Sequence, residues 1–351
     1  MKILGKIAKF LIPVLIGGLL FYFLYSNFDV NEMKLILRTD MNWWWFVAVL
    51  IVSIFSHIFR AARWRLQLRG LGIKPPFSAL VNSIFGTYAV NLLFPRLGEV
   101  WRTGYIATRQ KASFTTVLGS MVGDRLSDSV VVLLLTIFTF FLAQDAFYTF
   151  LDTYPTIKDG LWNMMVSPWT WMGAVAFIAF LVWLFRSNAQ NVIVVKVKAM
   201  ARNLWDGLYV IFKMEDKWWF LLYTALIWGC YYFQLYLASF AFPFTESLGM
   251  KAILVLFVLS SISMGIPTNG GLGAWHIAII FGLSLYGVGA NFSATGPFDA
   301  QASTFAMVVW GIQTLLLITL GIYSFIYMEI DRRRIKSGKV IVESDGKGMK
   351  L

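Results

Sequence analysis

Charge is what this sequence has least of. Asp, Glu, Lys and Arg make up 14% of its 351 residues, against 58% hydrophobic residues, and the mean hydropathy is +0.69. That balance excludes an ordinary soluble globular domain. Cysteine is nearly absent: Cys230 stands alone inside an apolar run, so no intrachain disulfide can form and cysteine usage says nothing of the redox compartment. Histidine occurs twice, as His57 and His276. With so few soft or imidazole ligands neither a metal site nor a cofactor is expected. The sequence has no G-x-S-x-G, no P-loop and no H-E-x-x-H. GLGAWH places His276 where a dinucleotide fingerprint requires its last glycine, and no strand precedes it. No residue is therefore assigned a catalytic role. Strands of about ten alternating residues are missing too, which excludes an outer-membrane barrel.

What the chain does have is a series of apolar runs close to twenty residues, the length that crosses a hydrocarbon core of about 30 Å. Full spans are expected over Ile7–Tyr25, Trp43–Phe59, Val117–Ala143, Trp169–Phe185, Trp218–Phe242 and Gln301–Met328. Trp and Tyr crowd several of their ends, as in interfacial belts. The first run follows Lys2 and Lys6 and shows no small-x-small cleavage site, so it reads as an uncleaved signal anchor. Two further segments, Phe77–Gln110 and Lys251–Val288, are hydrophobic but interrupted.

The formal net charge is +12. In a membrane chain such an excess reflects topology rather than nucleic-acid binding. If both interrupted segments begin and end on the same side, and the N-terminus is cytoplasmic, 25 of the 30 Lys and Arg fall inside. Four (Lys34, Arg38, Lys158, Lys251) fall outside and Arg125 lies within a span. The positive-inside rule thus favours two hairpins or re-entrant segments and cytoplasmic termini. The expected fold is an all-α polytopic membrane protein with about six full spans plus two re-entrant or hairpin segments. Residues 1–330 form one transmembrane unit, followed by a basic, disordered cytoplasmic tail, 331–351. The two span–hairpin–span triplets have opposite orientations, the pattern of an inverted-topology repeat. Asn191–Lys217 reads either as an interfacial helix or as a plain connector.

Three constellations carry the remaining chemistry. NLLFPRLGEVWR contains Asn91, Pro95, Arg96, Gly98, Glu99 and Arg102. Pro95 and Gly98 suit a backbone break between two helical arms, and Glu99 and Arg102 share a helix face. GDRLSDS contains Asp124, Arg125 and Asp128, with the two carboxylates on one face and Arg125 within reach of Asp128. IPTNGGLGAWH supplies a second break through Pro267, Gly270, Gly271 and Gly273, with Asn269 and His276 beside it. Each charge at a helix centre costs about 2.5–3.5 kcal/mol by insertion scales. The charged groups must therefore either pair around a polar cavity or lie in a cytosolic loop. His57 reads as a residue near the inner interface.

In this order, N-x-x-x-P-x-x-G-E-x-x-R, D-R-x-x-D and P-x-x-G-G-L-G resemble the flippase-like, lysylphosphatidylglycerol synthase transmembrane-region family. That family includes the membrane half of multiple peptide resistance factor, and the resemblance covers about residues 5–330. His276 stands where relatives commonly carry an acidic residue. The resemblance implies a plasma-membrane protein that moves a phospholipid or lipid-linked intermediate between leaflets. The alternative it implies is a membrane subunit or scaffold for a separate lipid-modifying enzyme. Under the first reading Arg96, Arg102 and Arg125 meet a lipid phosphate. Asn91, Glu99, Asp124, Asp128, Asn269 and His276 then line the polar cavity. The chain runs 23 residues past its last expected span, too few for an aminoacyl-transferase domain, so it is not expected to synthesise an aminoacyl lipid itself.

Overall fold

In the computed structural model of the chain, residues 30–39, 41–153, 155–186, 214–266, 268–289 and 299–337 are described, together with 15 and 18–22. Every regular element among them is helical. The first half contains α1 (Val30–Thr39), α2 (Trp44–Gly70), α3 (Phe77–Leu93), α4 (Leu97–Gln110) and α5 (Phe114–Leu142). α6 (Gln144–Thr153), α7 (Pro155–Val166) and α8 (Pro168–Arg186) follow. The second half contains α9 (Lys217–Ser239), the short α10 (Pro243–Glu246), α11 (Gly249–Ser263), a 3-10 turn (Asn269–Gly271), α12 (Ala274–Ser284) and α13 (Ala300–Lys336). Four helices, α2, α5, α9 and α13, are long and apolar enough to cross a bilayer. Shorter apolar helices are α3, α11 and the stretch Pro168–Phe180 of α8. Most of the expected span Ile7–Tyr25, most of the connector Asn191–Lys217, Pro267 and the tail beyond Ser337 lie outside the described residues.

Three boundaries differ from expectation, each for a local reason. α2 does not stop at Phe59. Arg, Ala, Leu and Gln are good helix formers, and nothing breaks the helix until Gly70. There the chain closes with Ile73 N–H donating to Leu68 O and Gly72 N–H donating to Arg69 O, both at 2.9 Å, with Gly72 at φ 75°. α13 likewise runs to Lys336, so Asp331–Lys336 is helical rather than disordered tail. Asp331 accepts from Arg109 Nε at 2.7 Å and Nη2 at 3.0 Å, which ties this extension to α4. The expected outer loop before α8 folds into α6 and α7. Lys251 Nζ donates to Asp145 at 2.5 Å, and this hydrogen bond holds the Asp145 carboxyl below its ordinary range.

Packing alternates between the halves. α2 lies along α9; α3 packs on α13, and α11 packs on α5. Within the halves, α4 folds back on α3 and then contacts α5, while α12 folds back on α11 and contacts α13. One apolar cluster, including Trp64, Leu80, Ile84 and Ile106, joins α2, α3, α4 and the start of α5. A larger one, including Phe242, Leu256, Ile279 and Phe305, fills the second half.

Candidate functional site

α2 carries an unusual buried face. Ser53, Ser56, His57, Arg60, Arg63 and Gln67 are all buried, although they sit on a helix of otherwise apolar character. Their three- and four-residue spacing places most of them along one stripe. From Ser53 to Gln67 that stripe rises about 21 Å at 1.5 Å per residue.

Two carboxylates on α5 neutralise its basic part. Asp124 and Asp128 are one turn apart, so both point at the same neighbour. Arg63 Nη2 lies 2.6 Å from Asp124 Oδ1 and 2.8 Å from Asp128 Oδ1, and its Nε donates to Asp124 at 2.9 Å. Arg60 Nη1 donates to Asp128 Oδ2 at 2.7 Å and lies 3.5 Å from Asp124 Oδ2. α9 contributes Thr224, which accepts from Arg63 at 3.2 Å, and Tyr231, whose hydroxyl accepts from Arg60 at 3.2 and 3.3 Å. The Tyr231 hydroxyl also lies 3.1 Å from that of Tyr88 on α3.

α4 brings two more charges. Glu99 sits 2.6 Å from Arg125 Nη2, and Arg125 also lies 3.5 Å from Asp128. Arg102 is fully buried, with its guanidinium carbon 4.4 Å from the centre of the Trp64 ring. Its one carboxylate contact among the described residues is Nη2 to Asp124 Oδ2, at 3.5 Å. Arg102 Nε and Nη1 are buried with no hydrogen-bond acceptor among the described residues. Among the described residues the cluster thus holds four guanidinium groups (Arg60, Arg63, Arg102, Arg125) against three carboxylates (Glu99, Asp124, Asp128), an excess of one positive charge.

The break between α3 and α4 forms a second locus. Phe94 is extended and Arg96 adopts the left-handed conformation, φ 62°. Asn91 Oδ1 accepts from Gly98 N–H at 2.9 Å and pins the turn. A β-carbon on Gly98 would collide with the Thr87 carbonyl, so only glycine lets the two arms approach here. The tip meets the break of the second half. Arg96 Nη2 donates to Gly265 O at 2.9 Å, and Asn269 Nδ2 donates to Leu92 O at 3.2 Å and Leu93 O at 2.8 Å. Trp310 Nε1 donates to Gly270 O at 2.8 Å. These bonds satisfy carbonyls that the helix ends leave free. Gly270, Gly271 and Gly273 all have positive φ, at 58°, 79° and 79°. His276 lies in the first turn of α12, buried against Trp275, Trp310 and Phe21.

The structure therefore gathers Glu99, Arg102, Asp124, Arg125 and Asp128, while Arg96, Asn269 and the glycines belong to the meeting of the two breaks. Pro95 lies in the turn after α3. Glu99 bonds Arg125 rather than its own-helix neighbour Arg102. Arg60, Arg63, Tyr88, Thr224 and Tyr231 escaped the sequence reading. So did a polar chain in which Ser53 Oγ donates to Gln313 at 2.9 Å and Gln313 Nε2 donates to Gln234 at 3.0 Å. His57 is buried within the helical assembly, on the polar stripe of α2.

Four helices long and apolar enough to cross a bilayer, packed around a buried ionic cluster, mark a multi-pass helical membrane protein. The chain belongs to the family described as "Lysylphosphatidylglycerol synthase TM region", which it matches over residues 10–321. No curated protein and no solved structure matches it.

Proposed function

We propose that the protein moves an anionic phospholipid, or a lipid-linked intermediate with a phosphate head, between the leaflets of the plasma membrane. The observation that carries this reading is the unbalanced cluster: one positive charge in excess, and a buried guanidinium with two donor atoms unused. A guanidinium with free donors in a low-dielectric setting suits a phosphate. Arg102, with Arg125 beside it, is the group that receives the lipid phosphate; Asp124, Asp128 and Glu99 hold the other arginines in place. Arg96 acts at the contact between the two breaks, where its rearrangement accompanies lipid passage.

The architecture in this reading is six spans and two re-entrant helical pairs, one unit across residues 1–330, with both termini cytoplasmic. At 1.5 Å per residue α3 and α11 are about 25 Å and 22 Å long, short of the hydrocarbon thickness. The reciprocal packing of α3 on α13 and of α11 on α5 is what an inverted repeat requires.

The test is translocation by the purified chain in liposomes of phosphatidylglycerol and phosphatidylethanolamine, followed with a fluorescent phosphatidylglycerol and a membrane-impermeant quencher. Protein-containing vesicles should lose outer- and inner-leaflet signal together, and Arg102→Ala should slow this at least tenfold. A rate equal to that of protein-free vesicles would leave the scaffold role as the better reading.

A further inference from the structure

His57 takes part in none of the bonds described above, yet it sits in the same stripe of α2. It is 4% exposed, and neither ring nitrogen has a hydrogen-bond partner among the described residues. A buried imidazole offers both a donor and an acceptor, and leaving both unmet is costly unless the site uses them. Its surroundings are polar on several sides. On its own helix Arg60 follows one turn later, and Arg63 a turn beyond. On α3 the Tyr88 ring centre lies 4.6 Å away, with Phe85 at 6.0 Å. Tyr88 leads through its hydroxyl to Tyr231 on α9, and Tyr231 leads to Arg60. α5 presents Asp124, Asp128 and Arg125 to the same arginine network, α4 presents Glu99 and Arg102, and α13 presents Gln313 to Ser53, one turn before His57.

We infer that His57 is a proton-binding site coupled to occupancy of the arginine cluster, so that one proton is taken up when an anionic lipid head group enters and is released when it leaves. The inference rests on the lipid-phosphate reading and names the ion that accompanies the lipid. Charge balance is the reason. The empty cluster carries one excess positive charge with His57 neutral. An imidazolium beside Arg60 would raise that to two in a site of low dielectric, which is unfavourable. One phosphodiester carries a single negative charge and cancels the excess. Protonation of His57 then returns the site to the same net charge that it holds when empty. In the chemical step the lone pair of one ring nitrogen accepts a proton from water, forming an N–H bond; the reverse step returns it to water. Linkage makes the coupling reciprocal: whatever bound anion does to the proton, the proton does to the anion.

The experiment adds dihexanoyl-phosphatidylglycerol to the detergent-solubilised full chain in weakly buffered solution near neutral pH. Binding is read by calorimetry and proton uptake by an indicator dye. The wild type should take up protons as it binds lipid, up to one per bound lipid, the ceiling that a single coupled site sets. His57→Gln, which keeps size and polarity, should still bind the lipid but take up no proton, with His57→Asn as a second variant should the first fail to fold. Binding to the wild type without proton uptake overturns the inference and leaves the lipid reading standing, as does equal uptake by wild type and a folded variant. Absence of any lipid binding to the wild type overturns both.

Discussion

Asp124 is the residue on which most of the buried cluster turns: it touches Arg60, Arg63 and Arg102 and is itself fully buried. Removing one member of a buried ionic group leaves its partners charged and unmet, typically at about 3–5 kcal/mol. Asp124→Asn is expected to lose stability of that order in thermal or denaturant unfolding in mild detergent. Asp152→Asn, whose partner Lys158 is well exposed, should leave the midpoint unchanged. Equal midpoints for all three proteins would mean that the cluster is solvated. Five of the seven charged members of this cluster were legible in the sequence, because Asp124, Arg125 and Asp128 are conspicuous inside an apolar run, and Glu99 and Arg102 follow a proline break. Arg60 and Arg63 were not legible. They come at the end of an apolar segment, where a basic stretch equally well begins a cytosolic loop. The signal that could have found them is the stripe of Ser53, His57, Arg60 and Gln67 at helical spacing, together with two carboxylates on another span that need cationic partners.

At the scale of elements, the contact of α3 with α4 rests on Gly98, and the neighbouring Gly104 gives a matched control in the same helix. A β-carbon at Gly98 would run into the Thr87 carbonyl and lie 2.8 Å from Asn91 Oδ1, whereas one at Gly104 meets nothing within 4 Å. Gly98→Ala should therefore destabilise by about 1–3 kcal/mol, as overpacking does. Gly104→Ala should be neutral or stabilise by up to about 1 kcal/mol through helix propensity. Unfolding midpoints of the two variants decide it, and a Gly98→Ala protein as stable as Gly104→Ala would refute the close approach. The existence of both breaks was legible from proline and glycine placement. Their mutual contact through Arg96, Asn269 and Trp310 was not, because no spacing in one segment reports which distant carbonyl it will reach. The run-on of α2 and α13 past their apolar parts was missed for a related reason. Hydropathy marks where a helix leaves lipid, not where it ends.

For the whole molecule, the charge bias makes a sharp topological statement. Reporter tags at Lys74, Lys111, Arg202 and the C-terminus should be cytoplasmic and one at Asp152 external, as read by protease protection or thiol labelling of intact cells. An external tag at Arg202 would break the arrangement of two re-entrant pairs. The reciprocal packing between the halves has a further consequence, for the making of the protein. α3 rests on α13, yet Ala300 emerges from the ribosome 207 residues after Leu93. At roughly 5–20 residues per second that is an interval on the order of 10–40 s. During this time α3 has been made without the helix it will pack on, and its buried face must be sheltered by lipid, by the insertion machinery or by a chaperone. Completion of the fold is thus a late, long-range event, and the nascent chain is most vulnerable to surveillance proteases just before its last described helix is synthesised.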